Sequence, residues 1–427
     1  MKNIGLCILV LLISIQSYCQ SLSLINKKEV QRIESILAAD SMQGRTTFTP
    51  SADKAADFIA GEFAKIGLAK LKGLKTYKQT FTMVKPRLIT VEASVNSTPV
   101  NAQNIVVFTC LPDLKINSGS GFKKVYIKQG ADFRNEVNEY IKLKENLIVY
   151  VDSSFATNFN RLRYQNRNIF KSDKSVVFVL GNVDTARFEI TAKHEITELQ
   201  ASNVVGILPG KSNQKEQVIF SGHYDHIGIG KPLNGDSIYN GANDDASGIT
   251  AIISMAKYYK AAKNNQRTVI FAAFAAEEIG GYGSQYFSKQ LDPAEVVAMF
   301  NMEMIGTESK WGKNSAYITG YEKTDMGDIL QRNLKGSKFS FYPDPYTTQN
   351  LFYRSDNATL ARLGVPAHTI STSKMDNEPN YHKASDEIGT LDFDNMTEII
   401  KSVITSAKTI ISGKDTPTRV QSELLTR

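Results

Sequence analysis

Residues Gln217-Val218-Ile219-Phe220-Ser221-Gly222-His223-Tyr224-Asp225-His226 pass from a short apolar run straight into imidazole and carboxylate groups. The same order recurs downstream. Thr268 to Phe274 leads into Ala275-Ala276-Glu277-Glu278, and Val296 to Phe300 leads into Asn301-Met302-Glu303. Asn203-Val204-Val205-Gly206-Ile207-Leu208 and Gly364 to Ile370 are further strand candidates. Helical patterns fill the gaps, from Gly248 to Lys260, Gly283 to Lys289, Thr324 to Leu334 and Phe393 to Ile411. Short, continuously apolar strands alternating with helices predict an α/β fold, with a mostly parallel central sheet covered by helices on both faces.

Toward the N-terminus, residues 28–40 and 51–68 carry apolar side chains at helical spacing, and residues 77–97 read as β. From 98 to 197, short β-like runs (104–109, 124–128, 146–151 and 175–180) alternate with polar loops, and no motif there carries chemistry. That stretch is expected to be an inserted β-rich accessory domain. The expected organisation is a leader at 1–19, an N-terminal part of the main domain at 20–97, the insert at 98–197, the main domain at 198–412 and a tail at 413–427.

The chain has 427 residues, of which 42% are hydrophobic and 22% charged, with 28 Gly and 12 Pro. This composition excludes disorder, collagen-like repeats and coiled coil as the overall class. The 50 basic residues outnumber the 43 acidic ones only mildly and form no dense tract, so no nucleic-acid partner is expected. Met1-Lys2-Asn3 precedes an apolar stretch from Ile4 to Ile15, too short to span a bilayer and suited to a cleaved signal. Ser17 and Cys19 are small residues at the −3 and −1 positions of a cut before Gln20, which predicts export to a periplasm or medium without stable membrane insertion. Acylation at Cys19 is disfavoured by the bulky Tyr18 before it. After that cut only Cys110 remains, so no internal disulfide can form.

Chemistry-bearing residues follow the carboxyl ends of strands or open the next helix, which is the edge where open α/β sheets bind ligands. Each element alone has a bland reading. Asp244-Asp245 could simply cap a helix, Glu277-Glu278 could be solvated, and His223, His226 or His382 could be a hydrogen-bonded structural imidazole. Together they supply what a hydrolytic dimetal centre needs: a bridging carboxylate, two imidazoles, terminal carboxylates and a free carboxylate for proton transfer. Neighbouring Glu277 and Glu278 point in different directions, so one can bind metal while the other faces water. Asp225 is placed to accept the second N–H of His223.

The ordered set His223-Tyr-Asp225, Gly241-Ala-Asn-Asp244-Asp245-Ala-Ser-Gly248, Glu277-Glu278, Asn301-Met-Glu303 and Tyr381-His382 resembles the exported dizinc aminopeptidases of the aminopeptidase Y type. The likeness covers about 198–412, and 37–68 also resembles the family's N-terminal portion. It implies the zinc exopeptidase type of fold and two Zn2+ per chain. Asp244 would bridge the ions. His223 and Glu303 would complete one site, and Glu278 and His382 the other. It further implies Glu277 as general base, Tyr381 as oxyanion donor and a cis peptide at Asp244-Asp245. Ser355-Asp356-Asn357 departs from the family's Ser-Asp-His and reads as pocket scaffold. Glu303 stands where many relatives carry Asp, and His226 has no role beyond a supporting hydrogen bond.

The implied activity is removal of N-terminal residues from peptides with a free amine. A carboxypeptidase or dipeptidase of the same family and a glutaminyl-cyclase-like acyltransferase remain alternatives. A non-catalytic binding protein would be expected to lack a ligand or the base, and none is missing. No Gly-x-Ser-x-Gly elbow favours a serine hydrolase. Oligomeric state is not readable.

Overall fold

The computed structural model describes residues 22–425 except 144, 164–167 and 182–186, so the expected leader at 1–19 lies outside the described residues. The chain forms two compact units, one from the segments up to Phe81 and from Ala201 onward, the other from Thr82 to Gln200.

The first unit is built on a sheet whose centre is four parallel strands in the order Ala367–Ser371, Val296–Met302, Asn213–His223 and Arg267–Phe274. Antiparallel strands flank this centre. Residues 204–208 pair with Arg267–Phe274, and Ser315–Ile318 pairs with Ala367–Ser371 before joining Ser340–Pro343 in parallel. The predicted α/β class is what the chain adopts, but the sheet is mixed rather than mostly parallel, with parallel pairing concentrated in its four central strands. The strands at 315–318 and 340–343 were not predicted, because four residues are too few to show a periodicity.

The central strands are apolar on both faces because helices cover both. On one face Phe220 stacks with Tyr259 (5.6 Å), Phe271 (5.9 Å) and Phe300 (4.9 Å). Tyr259 belongs to helix Ser247–Ala262, which packs beside Lys27–Leu37, Pro50–Ile66 and Phe393–Ile411. On the other face Ile219, Ile270, Phe274 and Met299 meet Phe287, Leu360 and Val365 in a second buried cluster. Among the described residues no helix is long and apolar enough to cross a membrane.

The second unit has a four-stranded mixed sheet in the order 105–108, 176–180, 147–151, 123–127. It also contains helices Phe133–Lys142 and Ala156–Arg163, where the sequence suggested only polar loops. Each helix buries only two residues, Phe133 and Val137 in one, Phe159 and Leu162 in the other. That stripe is too narrow to stand out from a polar background.

Under helix Ser247–Ala262, Glu34 is fully buried, and burial pushes its carboxyl up to about 8. A hydrogen bond from Thr250 (2.7 Å) and the charge of Arg45 pull the other way and do not prevail. Between about pH 4.5 and 8 the folded carboxyl holds a proton that the unfolded one has released, so stability falls as pH rises through that window. Glu34→Gln should therefore stabilise the protein by about 3 kcal/mol at pH 8 and by little at pH 5. Denaturant melts of both forms at the two pH values check this, and a difference independent of pH would refute it.

Candidate metal centre

All five metal-ligand candidates meet at the carboxyl edge of the parallel strands. His223 ends its strand, Glu303 follows Met302, and Glu278 follows the strand ending at Phe274. Asp244 sits in the loop that opens helix Ser247–Ala262, and His382 lies beyond the strand ending at Ser371. Their ligand atoms fall into two groups sharing Asp244. His223 Nε2 is 3.3 Å from Asp244 Oδ1 and 3.4 Å from Glu303 Oε1. His382 Nε2 is 3.3 Å from Asp244 Oδ2 and 3.2 Å from Glu278 Oε2. A tetrahedral zinc site with bonds of about 2.0–2.1 Å has donor-to-donor edges of about 3.3 Å, and the imidazole-to-carboxylate distances of both sets match such edges. The two oxygens of Asp244 face different sets.

His226 reaches the second set as well, and His226, Asp244 and Glu278 also lie close enough together to hold an ion. Its distances are unequal, 2.7 Å from Nδ1 to Glu278 Oε1 and 3.9 Å to Asp244 Oδ2. That geometry suits an N–H donated to Glu278, the supporting bond expected of it, better than an edge of a coordination shell. The ring packs on Gly241, where a Cβ would come within 2.5 Å of it.

The backbone around these ligands is held by buried polar side chains. The Asp244–Asp245 peptide is cis. Asp245 Oδ2 accepts from the His223 amide, while Oδ1 accepts from Gly248 and Met304 amides. One carboxylate thus caps the helix, as the bland reading had it, and also ties three ligand-bearing segments together. Gly248 is required there, because a Cβ would sit 2.4 Å from that carboxylate. Ser355 donates to Glu303 Oε2 (2.6 Å) and accepts from Asn301, which accepts from Ser221. Asn357, standing for the family's His, has both ends satisfied, donating to Phe352 and Ala367 carbonyls and accepting from Thr369.

Asp225 needs a correction. His223 Nδ1 donates to the backbone carbonyl of Asp225 (3.0 Å), whereas the carboxylate oxygen is 3.8 Å away. That carboxylate is engaged by the Glu277 amide (3.1 Å) and the Thr47 hydroxyl (2.8 Å), which compete for it. The bond to the carbonyl still fixes the proton on Nδ1 and turns the Nε2 lone pair toward Asp244 and Glu303.

Two supports went unnoticed in the sequence. Asp386 accepts from the Asn243 and Asp244 amides (2.9 and 3.0 Å). Arg45, fully buried, donates to the carbonyls of Leu37, Tyr224, Asn240 and Gly241 at 2.5–2.8 Å. It clamps the His223–His226 loop to the loop that carries Asp244. Arg45 falls inside the N-terminal segment that resembles the family, the one signal that could have pointed to it.

Electrostatically the site is a concentration of buried negative charge. Burial, then the charges of Glu303, Asp356 and Glu278, raise Glu277 well above the ordinary carboxylate range against the pull of His223. Burial, then the charges of Glu303 and Asp244, raise Asp245 as well, and burial pushes Asp356 up to about 7. Burial opposes charging of His382, but bonds to Asp244 and Glu278 prevail and raise it to about 10. Imidazoles are forced into the role of counter-cations, and buried carboxylates at this density call for metal. Tyr381 stacks on His382 (3.9 Å between centroids), and burial with nearby Asp244 pushes its hydroxyl up to about 12.

Residues 203–407 match the sequence profile of Peptidase family M28. A probable leucine aminopeptidase of Trichophyton verrucosum is 29% identical over 269 residues, 60% of this chain and 70% of that protein. The fold is similar to that of a zinc aminopeptidase from Bacillus subtilis (TM-score 0.55, 17% identity, 92% of this chain and 97% of that one). It is also similar to an aminopeptidase from Aneurinibacillus (TM-score 0.54, 15% identity, 96% and 98%). The profile match spans every candidate ligand and the ordered motifs that carry the resemblance, and on these grounds residues 203–407 form a peptidase family M28 domain.

Proposed function

We infer that this chain is a zinc aminopeptidase that removes N-terminal residues from peptides at a centre of two zinc ions, with Glu277 as general base. The observation that carries the reading is Asp244, whose two oxygens each lie 3.3 Å from a different imidazole. His223, Asp244 and Glu303 would hold one ion, and Asp244, Glu278 and His382 the other. When bound, the ions supply Lewis acidity and lower the pKa of water.

The chain's own groups do the rest. Glu277 is next to a ligand but is not itself one of either set. Its amide is anchored on Asp225, and its carboxylate lies close enough to His223 and Glu303 for their charges to shift it. A carboxylate so placed takes a proton from the attacking water and returns it to the leaving amine. Tyr381 stays protonated over the physiological range and can donate to the oxyanion as it develops. The aminopeptidase names of the relative and of both structural neighbours support exopeptidase action at a free amine. His223, Glu303 and Glu277 are all present, which disfavours the single-zinc acyltransferase alternative.

Glu277→Gln should keep wild-type zinc content while lowering kcat on an aminoacyl p-nitroanilide by about three orders of magnitude or more. His382→Ala should instead lower zinc content, measured by atomic absorption after dialysis. Full turnover by the first variant would remove Glu277 as base, and unchanged zinc in the second would remove His382 as ligand. The leader-like segment at 1–19 supports export as part of this reading. Expression of the full chain should then yield protein outside the cytoplasm beginning at Gln20, and cytoplasmic retention with Met1 intact would contradict it.

A further inference from the structure

Beside the Glu303 group lies a pocket whose wall is apolar at Met304, Leu351 and Met375 and whose charged lining is confined to Glu303 and Arg354. The charge of Glu303 is already engaged, since Oε2 accepts from Ser355 and Oε1 faces His223. Arg354 is different. Its guanidinium donates only to neutral acceptors, Gln349 Oε1 and the Tyr381 hydroxyl, both at 3.3 Å. Among the described residues no carboxylate comes within ion-pair distance of it, whereas Arg32 is paired with Glu29 and Glu62, and Arg332 with Asp415. Three of the five N–H groups in the planar fork are thus left to whatever enters the pocket.

The guanidinium is also held in place. Gln349, which accepts from Arg354, donates in turn to the Met375 carbonyl at 2.7 Å. On the other side, Arg354 rests on Tyr381, which stacks on His382. A cation is therefore fixed between the pocket and the group proposed to stabilise the oxyanion.

We propose that this pocket receives the side chain of the substrate's N-terminal residue, and that Arg354 selects an acidic one, glutamate or aspartate. The proposal rests on the aminopeptidase reading and deepens it. The methylenes of a glutamate would lie along Met304 and Leu351, and its carboxylate would meet the unpaired fork in a charge-assisted, two-bond pair. A glutamine of the same shape fills the same space but offers one oxygen and no charge. The pair sits at an exposed rim, so salt screens it, and the preference for glutamate over glutamine is about tenfold at low ionic strength.

The test is kcat/KM of the zinc-loaded full-length enzyme on the p-nitroanilides of Glu, Gln and Leu, at low and high NaCl, for wild type, R354Q and R354K. The Glu/Gln ratio is internal to each variant and cancels any general loss through Tyr381. The expected result is a ratio of about ten in wild type, falling with salt, near one in R354Q and partly restored in R354K. A wild-type ratio of one or less, or a ratio unchanged in R354Q, overturns the proposal while Leu turnover leaves the aminopeptidase reading standing. If R354Q instead weakens binding of dipeptides relative to dipeptide amides at an unchanged Glu/Gln ratio, Arg354 grips a substrate's C-terminus and the proposal is likewise overturned. No turnover of any free-amine substrate removes both.

Discussion

Negative charge gathered in a buried place is the constraint around which this molecule is arranged. Asp244, Asp245, Asp225, Glu277, Glu278, Glu303, Asp356 and Asp386 all lie at or just behind one sheet edge, and five of the eight are less than one-tenth exposed. Carboxylates removed from water repel one another and lose their hydration. Three imidazoles among them offset only part of that cost. Divalent cations offset it far better, and the equal spacing of two donor sets around Asp244 matches the edges of two tetrahedral shells. Chemistry and stability are therefore coupled here, because the same ions would neutralise the cluster and activate water.

Such a cluster holds its geometry only if the loops bearing it are fixed from behind. Arg45 does this with four carbonyls from three segments, Asp386 with two consecutive amides, and Asp245 with three. Ala276, Met304 and His382, each at or beside a proposed ligand or the base, take the left-handed conformation that side chains other than glycine's disfavour. Their presence at one edge is the usual accompaniment of a site whose side chains must point inward against the preference of the chain.

Much of this was legible beforehand, because apolar runs announce strands and the polar residues ending them announce the functional edge. His223, Glu278 and Glu303 could be placed relative to one another from that pattern alone. Asp225 was placed correctly but given the wrong acceptor atom, since a sequence does not show that Thr47 and the Glu277 amide claim its carboxylate. Arg45 and Asp386 were missed for a related reason. They bind backbone groups of distant loops, and no local periodicity marks a residue for that work. Ser355 read as pocket scaffold, yet its hydroxyl continues a chain of bonds from Ser221 through Asn301 to Glu303.

If the shared aspartate organises everything else, the decisive measurement is diffraction from zinc-soaked crystals at energies above and below the zinc absorption edge. The account predicts two anomalous peaks about 3.5 Å apart, one on either side of the Asp244 carboxylate. One of them should be shared with His223 and Glu303, the other with Glu278 and His382. A single peak, or zinc bound away from Asp244, would contradict it.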